Sequence, residues 1–187
     1  MVFSFSGGDV IQQECSAYVS RNGTIAEGEV FVGTPGSFRC KHVFHTVGPI
    51  WNGGHSNEEN ILYDAIISCM DEMRKRRLKS IALPAISCGI YEFPIDKAAE
   101  IILSAIRDNL KEPSSVEKVV LIDTNLSTVS EFLKVTDREL GVQPATPVPS
   151  PQSSGQLTSL SPGFELLIAL ADLYLSSLEA LSQALMI

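Results

Sequence analysis

The chain has 187 residues, enough for one domain with a substantial core and some further length. A hydrophobic fraction of 44% with 19% charged residues is that of a globular protein, and a formal net charge of -8 argues against a general affinity for nucleic acid or acidic lipid. A phosphate-bearing small ligand stays open, because neutral backbone donors hold phosphate without a basic patch.

Asp9–Val19 reads as a short helix with Val10, Ile11, Cys15 and Val19 facing inward, closed by Arg21-Asn22-Gly23. Glu29–Thr34 is a strand that Pro35-Gly36 turns, and Lys41–Val47 is a second, rich in β-branched and aromatic residues and stopped by Gly48-Pro49. Asn57–Arg77 is a helix. Ser56 and Glu59 have capping-box spacing, and Ile61, Leu62, Ala65, Ile66, Cys69 and Met73 form one apolar stripe. Glu58 and Glu59 in its first turn and Arg74–Arg77 in its last complement the helix dipole.

Ser80–Ile86 is an almost wholly apolar run. It breaks into the small-residue loop Ser87–Pro94 and feeds a helix over about Asp96–Leu110 with Ala98, Ala99, Ile102, Ile106 and Leu110 on one face. Strand, loop and helix N-terminus in that order make an anion-binding arrangement, since backbone N–H groups converge at a positive helix end. Val116–Asp123 is another buried strand, and Thr128 with Glu131 offers a capping box for a last helix to Leu140. The order β-β-α-β-α-β-α predicts an α/β fold whose sheet carries helices on both faces.

From Gly141 to Gly163 the chain holds five of its ten prolines with serines between them, which reads as an extended linker. Phe164–Ile187 is leucine-rich with a narrow polar stripe (Glu165, Asp172, Ser176, Glu179, Gln183) and is expected to be a helix. A packing or oligomer helix is favoured over a poorly ordered tail from an alternative reading of the gene. A membrane span is disfavoured by Asp172 and Glu179 and by the lack of flanking Lys or Arg. The division is therefore 1–140 domain, 141–163 linker and 164–187 apolar helix.

Cys15, Cys40, Cys69 and Cys88 show no close pairing, and Met1–Ser6 lacks the basic and apolar regions of a signal peptide. Free thiols in the cytoplasm or nucleus are expected. Cys40, His42 and His45 invite a zinc reading, but strand alternation sends His42 and His45 to opposite faces, so no metal is expected. Cys88 at a helix N-terminus has no base near it in sequence, so it reads as a small loop residue rather than a nucleophile.

Gly7-Gly8 with IQQEC at 11–15, KHVFHTVGP at 41–49 followed by Trp51, and LPAISCGIYEFP at 83–94 together resemble a macrodomain. They are similar to those in macrodomain-containing ADP-ribosyltransferases (the PARP family), over about Gly7–Leu140. The resemblance implies a three-layer α/β/α fold with a mixed sheet, a ligand, ADP-ribose, held at the C-terminal ends of the strands, and no cofactor or metal. By this likeness the backbone of Ser87, Cys88, Gly89, Ile90 and Tyr91 cradles the diphosphate, and the Tyr91 ring lies beside the distal ribose. Val47, Gly48 and Pro49 form the neighbouring wall, and Asp123, Thr124 and Asn125 lie at the adenine end. Glu92 stands in the ligand-binding loop where the family usually has Gly, and a carboxylate beside a diphosphate is repulsive.

A complete macrodomain opens with further strands that carry an adenine-reading turn and an Asn-Ala-Ala-Asn loop. This sequence starts after them, which implies a partial domain. Hydrolytic members use residues of that region. The expectation is therefore a non-catalytic module with weakened binding, reading ADP-ribose and mono-ADP-ribosylated proteins as partners, with no direct nucleic acid or membrane role. The alternative is a binding-deficient truncated isoform acting only through protein–protein contact, for which 164–187 is the candidate surface. ADP-ribosyl hydrolysis ranks third.

Overall fold

A computed structural model of the protein describes residues 7–140, 156–158 and 165–170. In chain order the elements are α1 (Asp9–Asn22), β1 (Val30–Gly33), β2 (Val43–Thr46), α2 (Glu58–Lys75), β3 (Ser80–Leu83), α3 (Ile95–Asn109), β4 (Lys118–Asp123), α4 (Leu126–Leu140), β5 (Gln156–Thr158) and β6 (Glu165–Leu170). β1 and β2 form an antiparallel pair, while the other strands make one sheet in the order β3-β4-β6-β5. β3, β4 and β6 are parallel and β5 is antiparallel to β6, so the fold is α/β with mixed pairing, as the sequence predicts.

The helical stripes make the core. Leu62, Ile66, Cys69 and Met73 of α2 and Ala98, Ala99, Ile102 and Ile106 of α3 are buried and share one cluster with Ile81 and Leu83 of β3, Val119 and Leu121 of β4, and Val129, Phe132 and Val135 of α4; Ala65 of α2 is buried as well. Each fully buried aliphatic side chain contributes about 1.5–3 kcal/mol relative to exposure. A polar clip joins α2 to α3: Arg74 donates to Asp71 at 3.0 Å and to the carbonyl and side-chain oxygens of Asn109 at 3.1 Å, and Asn109 donates to Asp71 at 3.1 Å. No helix among the described residues is long and apolar enough to cross a membrane.

Several local expectations are corrected. α1 runs three residues further than predicted, and of its expected inward positions only Ile11 is buried; Val10 and Val19 are exposed, while Tyr18 stacks on Phe31 of β1 and Cys15 meets His45 of β2. The carboxylate that organises the start of α2 is Glu58, not Glu59. Glu58 is 1% exposed and accepts the N–H groups of Asn52 at 2.8 Å, Gly54 at 3.2 Å and Ser56 at 2.6 Å. The N-cap Asn57 is left-handed (φ 64°), which turns the next side chain back under the loop and leaves Glu59 to pair with Lys97 of α3. α4 starts at Leu126, two residues before the predicted capping box, because Asn125 caps it by accepting the Ser127 N–H at 2.9 Å.

The largest correction is C-terminal. Glu165–Leu170, inside the predicted apolar helix, is a strand beside β4, and Gln156–Thr158, inside the predicted linker, is a strand beside β6. A short apolar run carries no periodicity that separates a buried helix from a buried strand, and the edge of β4 decides for the strand. Residues 141–155, 159–164 and 171–187 lie outside the described residues.

Burial pushes the Glu58 carboxyl up, but its hydrogen bonds to backbone N–H groups outweigh that and hold it below the usual carboxylate range. A lowered folded-state value means that Glu58 stabilises the protein above the unfolded value of about 4.3, and that this contribution is lost as pH falls through the folded value. Glu58→Gln is therefore expected to lower the melting temperature at pH 7, with the gap to wild type closing under acid. Thermal melts across pH 3 to 7 check this, and a gap that stays constant contradicts it.

Candidate functional site

β3 and β4 are parallel, so the loops after them emerge on the same edge of the sheet. After Leu83 the chain turns twice within a few residues. Within this loop four amides are used internally: Ile86 donates to Pro84, Cys88 to Ala85, Glu92 to Gly89 and Phe93 to Ser87, at 2.9–3.2 Å. The amides of Ser87, Gly89, Ile90 and Tyr91 have no partner among the described residues. The Ser87 hydroxyl is buried and also unpartnered, and Ser87 is left-handed with φ 66°. The buried Ser87 hydroxyl costs about 1–3 kcal/mol if it has no acceptor, whereas Gly89 and Ile90 are exposed. Five donors without a protein partner among the described residues, beside the N-terminus of α3, suit an anion with several oxygens.

The Val47–Pro49 turn after β2 abuts this loop. Gly48 is buried, and a β-carbon placed on it would lie 2.3 Å from the Ser87 Oγ and 2.6 Å from Cγ2 of Ile86. Pro49 is buried, and the Val47 carbonyl accepts the Gly28 N–H at 2.9 Å. The Trp51 N–H donates to the Tyr91 carbonyl at 2.9 Å, and its ring packs at 4.8 Å on Phe93, which is 2% exposed. Lys97 lies 5.6 Å over the Trp51 ring. Gly89 has no neighbour within 4 Å of where its β-carbon would stand, and its φ is not left-handed. The fold itself does not require glycine at Gly89, so the open space above it is free for a ligand.

Glu92 is exposed and left-handed (φ 53°). A residue that is neither Gly nor Asn pays about 1–2 kcal/mol there, the physical reason a glycine is usual at this point of the loop. Burial, with the Asp123 carboxylate nearby, pushes the Cys88 thiol up to about 12. Cys88 therefore carries no thiolate at neutral pH, and its shift reports that the end of β4 adjoins the loop after β3.

Past β4, Asp123 accepts the Asn125 N–H at 2.8 Å, and Asn125 accepts both the Ser127 N–H and its hydroxyl; Thr124 is exposed. One oxygen of Asp123 and that of Asn125 thus build the start of α4, a structural use that the sequence reading passed over. A small apolar recess lies at this end, lined by Leu83, Ala85, Leu121, Asp123, Val129 and Phe132 among others. Sequence reasoning also missed the Ser87 hydroxyl, for which no sequence signal exists, and the anchoring role of Phe93.

Away from this site, Cys15 Sγ lies 3.6 and 3.7 Å from the two ring nitrogens of His45, and Cys40 Sγ donates to the His42 carbonyl at 3.4 Å. No group of three or more His, Cys, Asp or Glu among the described residues is placed to hold a metal ion.

An open α/β sheet with a donor-lined loop at its carboxyl edge defines a domain that binds phosphorylated ligands. Residues 2–102 match the Macro domain family model, and the chain belongs to that family. It is 36% identical over 130 residues to O-acetyl-ADP-ribose deacetylase 2 of Pantoea vagans, a match covering 70% of this chain and 76% of that protein. An uncharacterized Thermotoga maritima protein is also 36% identical, but the chain spans only 22% of its length. Protein mono-ADP-ribosyltransferase PARP14 of Homo sapiens is 29% identical over 175 residues, 86% of this chain and 10% of that protein. Among solved structures, the Oceanobacillus iheyensis macrodomain with ADP has a TM-score of 0.68 at 26% identity, covering 75% of each chain.

These relatives correct one expectation. Two proteins 36% and 33% identical to this chain are named O-acetyl-ADP-ribose deacetylases, so the view that the chain is no enzyme does not stand. That view rested on missing motifs, which is an argument from absence.

Proposed function

We propose that the chain binds ADP-ribose, free or carried by a modified protein, with the diphosphate on the amides of Ser87–Tyr91. The observation that supports this best is the set of orphan donors, four backbone N–H groups and the buried Ser87 hydroxyl, in one loop at a helix N-terminus. By the family likeness, adenine is assigned to the side of Asp123, Thr124 and Asn125, and the distal ribose to the side of Tyr91. With a net charge of -8 and Glu92 beside the loop, binding relies on neutral donors.

Calorimetry with ADP-ribose tests the reading. Saturable heat is expected for ADP-ribose, and weaker heat for ADP, which keeps the diphosphate but lacks the distal ribose. Gly89→Val places a side chain in the free space above the loop and is expected to leave the melting temperature unchanged while weakening binding at least about tenfold. No heat from wild type at millimolar ADP-ribose overturns the reading and leaves protein–protein contact as the alternative.

The relatives named deacetylases favour a second reading, hydrolysis of an O-acyl ester of ADP-ribose. Release of acetate from O-acetyl-ADP-ribose measures it on the same sample. The neutral Cys88 thiol is not a candidate nucleophile for it.

A further inference from the structure

β3, β4 and β6 run parallel, so all three deliver their last residues to the edge of the sheet that carries the site. Their registers differ there. β3 pairs with β4 from Ser80↔Lys118 only as far as Leu83↔Leu121. β6 pairs with β4 along its whole length, from Lys118↔Glu165 to Asp123↔Leu170. Among the described residues Ile122 and Asp123 therefore have β6 as their only strand neighbour, and Asp123 is the residue from which the Asp123–Asn125 turn springs.

We propose that the C-terminal strand Glu165–Leu170 is a positioning element of the ligand site: it holds the end of β4, and with it the Asp123–Asn125 turn, so that docking of this strand and binding of the nucleotide are coupled. This rests on the ADP-ribose reading. A strand end paired on neither side loses its ladder hydrogen bonds and frays. Without β6, Ile122 and Asp123 are in that condition, and the adenine end of the cleft loses its fixed wall.

The connection makes the coupling adjustable. β6 begins 25 positions after the end of α4 at Leu140, so its place beside β4 is a contact between distant parts of the chain, and bringing such parts together has an entropic cost that opposes docking. A ligand that needs the docked strand strengthens docking by the same factor as docking strengthens the ligand. The 86% span of the similarity to the human protein also exceeds the first 140 of 187 residues, so it reaches beyond α4.

Hydrogen exchange of the amides of residues 165–170 in the full chain, with and without saturating ADP-ribose, tests the proposal without any variant. Exchange is expected to slow about tenfold or more on binding. The second arm is Ile168→Pro, which removes a ladder hydrogen bond from a strand paired on both sides. The variant is expected to weaken ADP-ribose binding by a similar factor while Trp51 emission stays native. Should it unfold, exchange in the wild type decides. Wild type that binds ADP-ribose with unchanged exchange at 165–170, or a folded Ile168→Pro with wild-type affinity, overturns the coupling and leaves the ADP-ribose reading intact. Wild type that binds no ADP-ribose overturns both.

Discussion

Alanine at Gly48 is expected to abolish ADP-ribose binding at millimolar ligand while the far-UV circular dichroism stays native. The added β-carbon would stand 2.3 Å from the Ser87 hydroxyl and 2.6 Å from Cγ2 of Ile86, both inside van der Waals contact. Neither neighbour is the free end of a long side chain. Ser87 is already left-handed, so its backbone has little room to rotate away. The loop must translate, and overpacking of this kind costs about 1–3 kcal/mol of stability. The larger effect falls on function. A shift of the loop misdirects the amides of Ser87–Tyr91 together, and hydrogen bonds to a charged group are worth about 1.5–3 kcal/mol each. Losing two of them weakens binding by about a hundredfold or more. An affinity within threefold of wild type would show that the Val47–Pro49 turn does not brace the loop.

Phe93→Ala is expected to be the most destabilising change near the site, by about 3–5 kcal/mol. The Phe93 ring is 2% exposed and packs on Trp51, and its N–H closes the loop onto the Ser87 carbonyl. Removing the ring leaves a cavity at the junction of the loop, the Trp51 segment and the start of α3. Domains of this size hold about 5–15 kcal/mol in total, so the loss takes a large part of it. Urea titration followed by the emission of Trp51, the only tryptophan, measures the change and reports on the contact itself. Phe93→Leu keeps most of the buried volume and is expected to lose less than half as much. A midpoint change equivalent to less than 1 kcal/mol for Phe93→Ala would mean that the ring does not anchor the loop.

Much of this molecule is legible locally. The stripes of α2 and α3, the apolar β3 followed by small residues, and the Gly and Pro stops each depend on neighbours within a few positions. The family motifs at 41–49 and 83–94 sit on those same elements. What failed did so where two local readings were equally good. Glu58 and Glu59 both suit the first turn of a helix, and only the left-handed Asn57 turns the first of them inward. At Asp123 and Asn125 the structure adds a role to the ligand contact expected there, since one oxygen of each also builds the start of α4.

By itself, then, the sequence determined the α/β class, the order of the first eight elements and the loop that carries the donors, because periodicity, glycine placement and helix ends are properties of short segments. Only the tertiary structure decided that Glu165–Leu170 is a strand beside β4, that Ser87 buries a hydroxyl with no partner among the described residues, and that Gly48 must stay bare. Each of those depends on a neighbour far away in the chain. Leucine-rich segments adopt whichever conformation a distant partner completes, and a hydroxyl or a missing β-carbon acquires meaning only from what it faces.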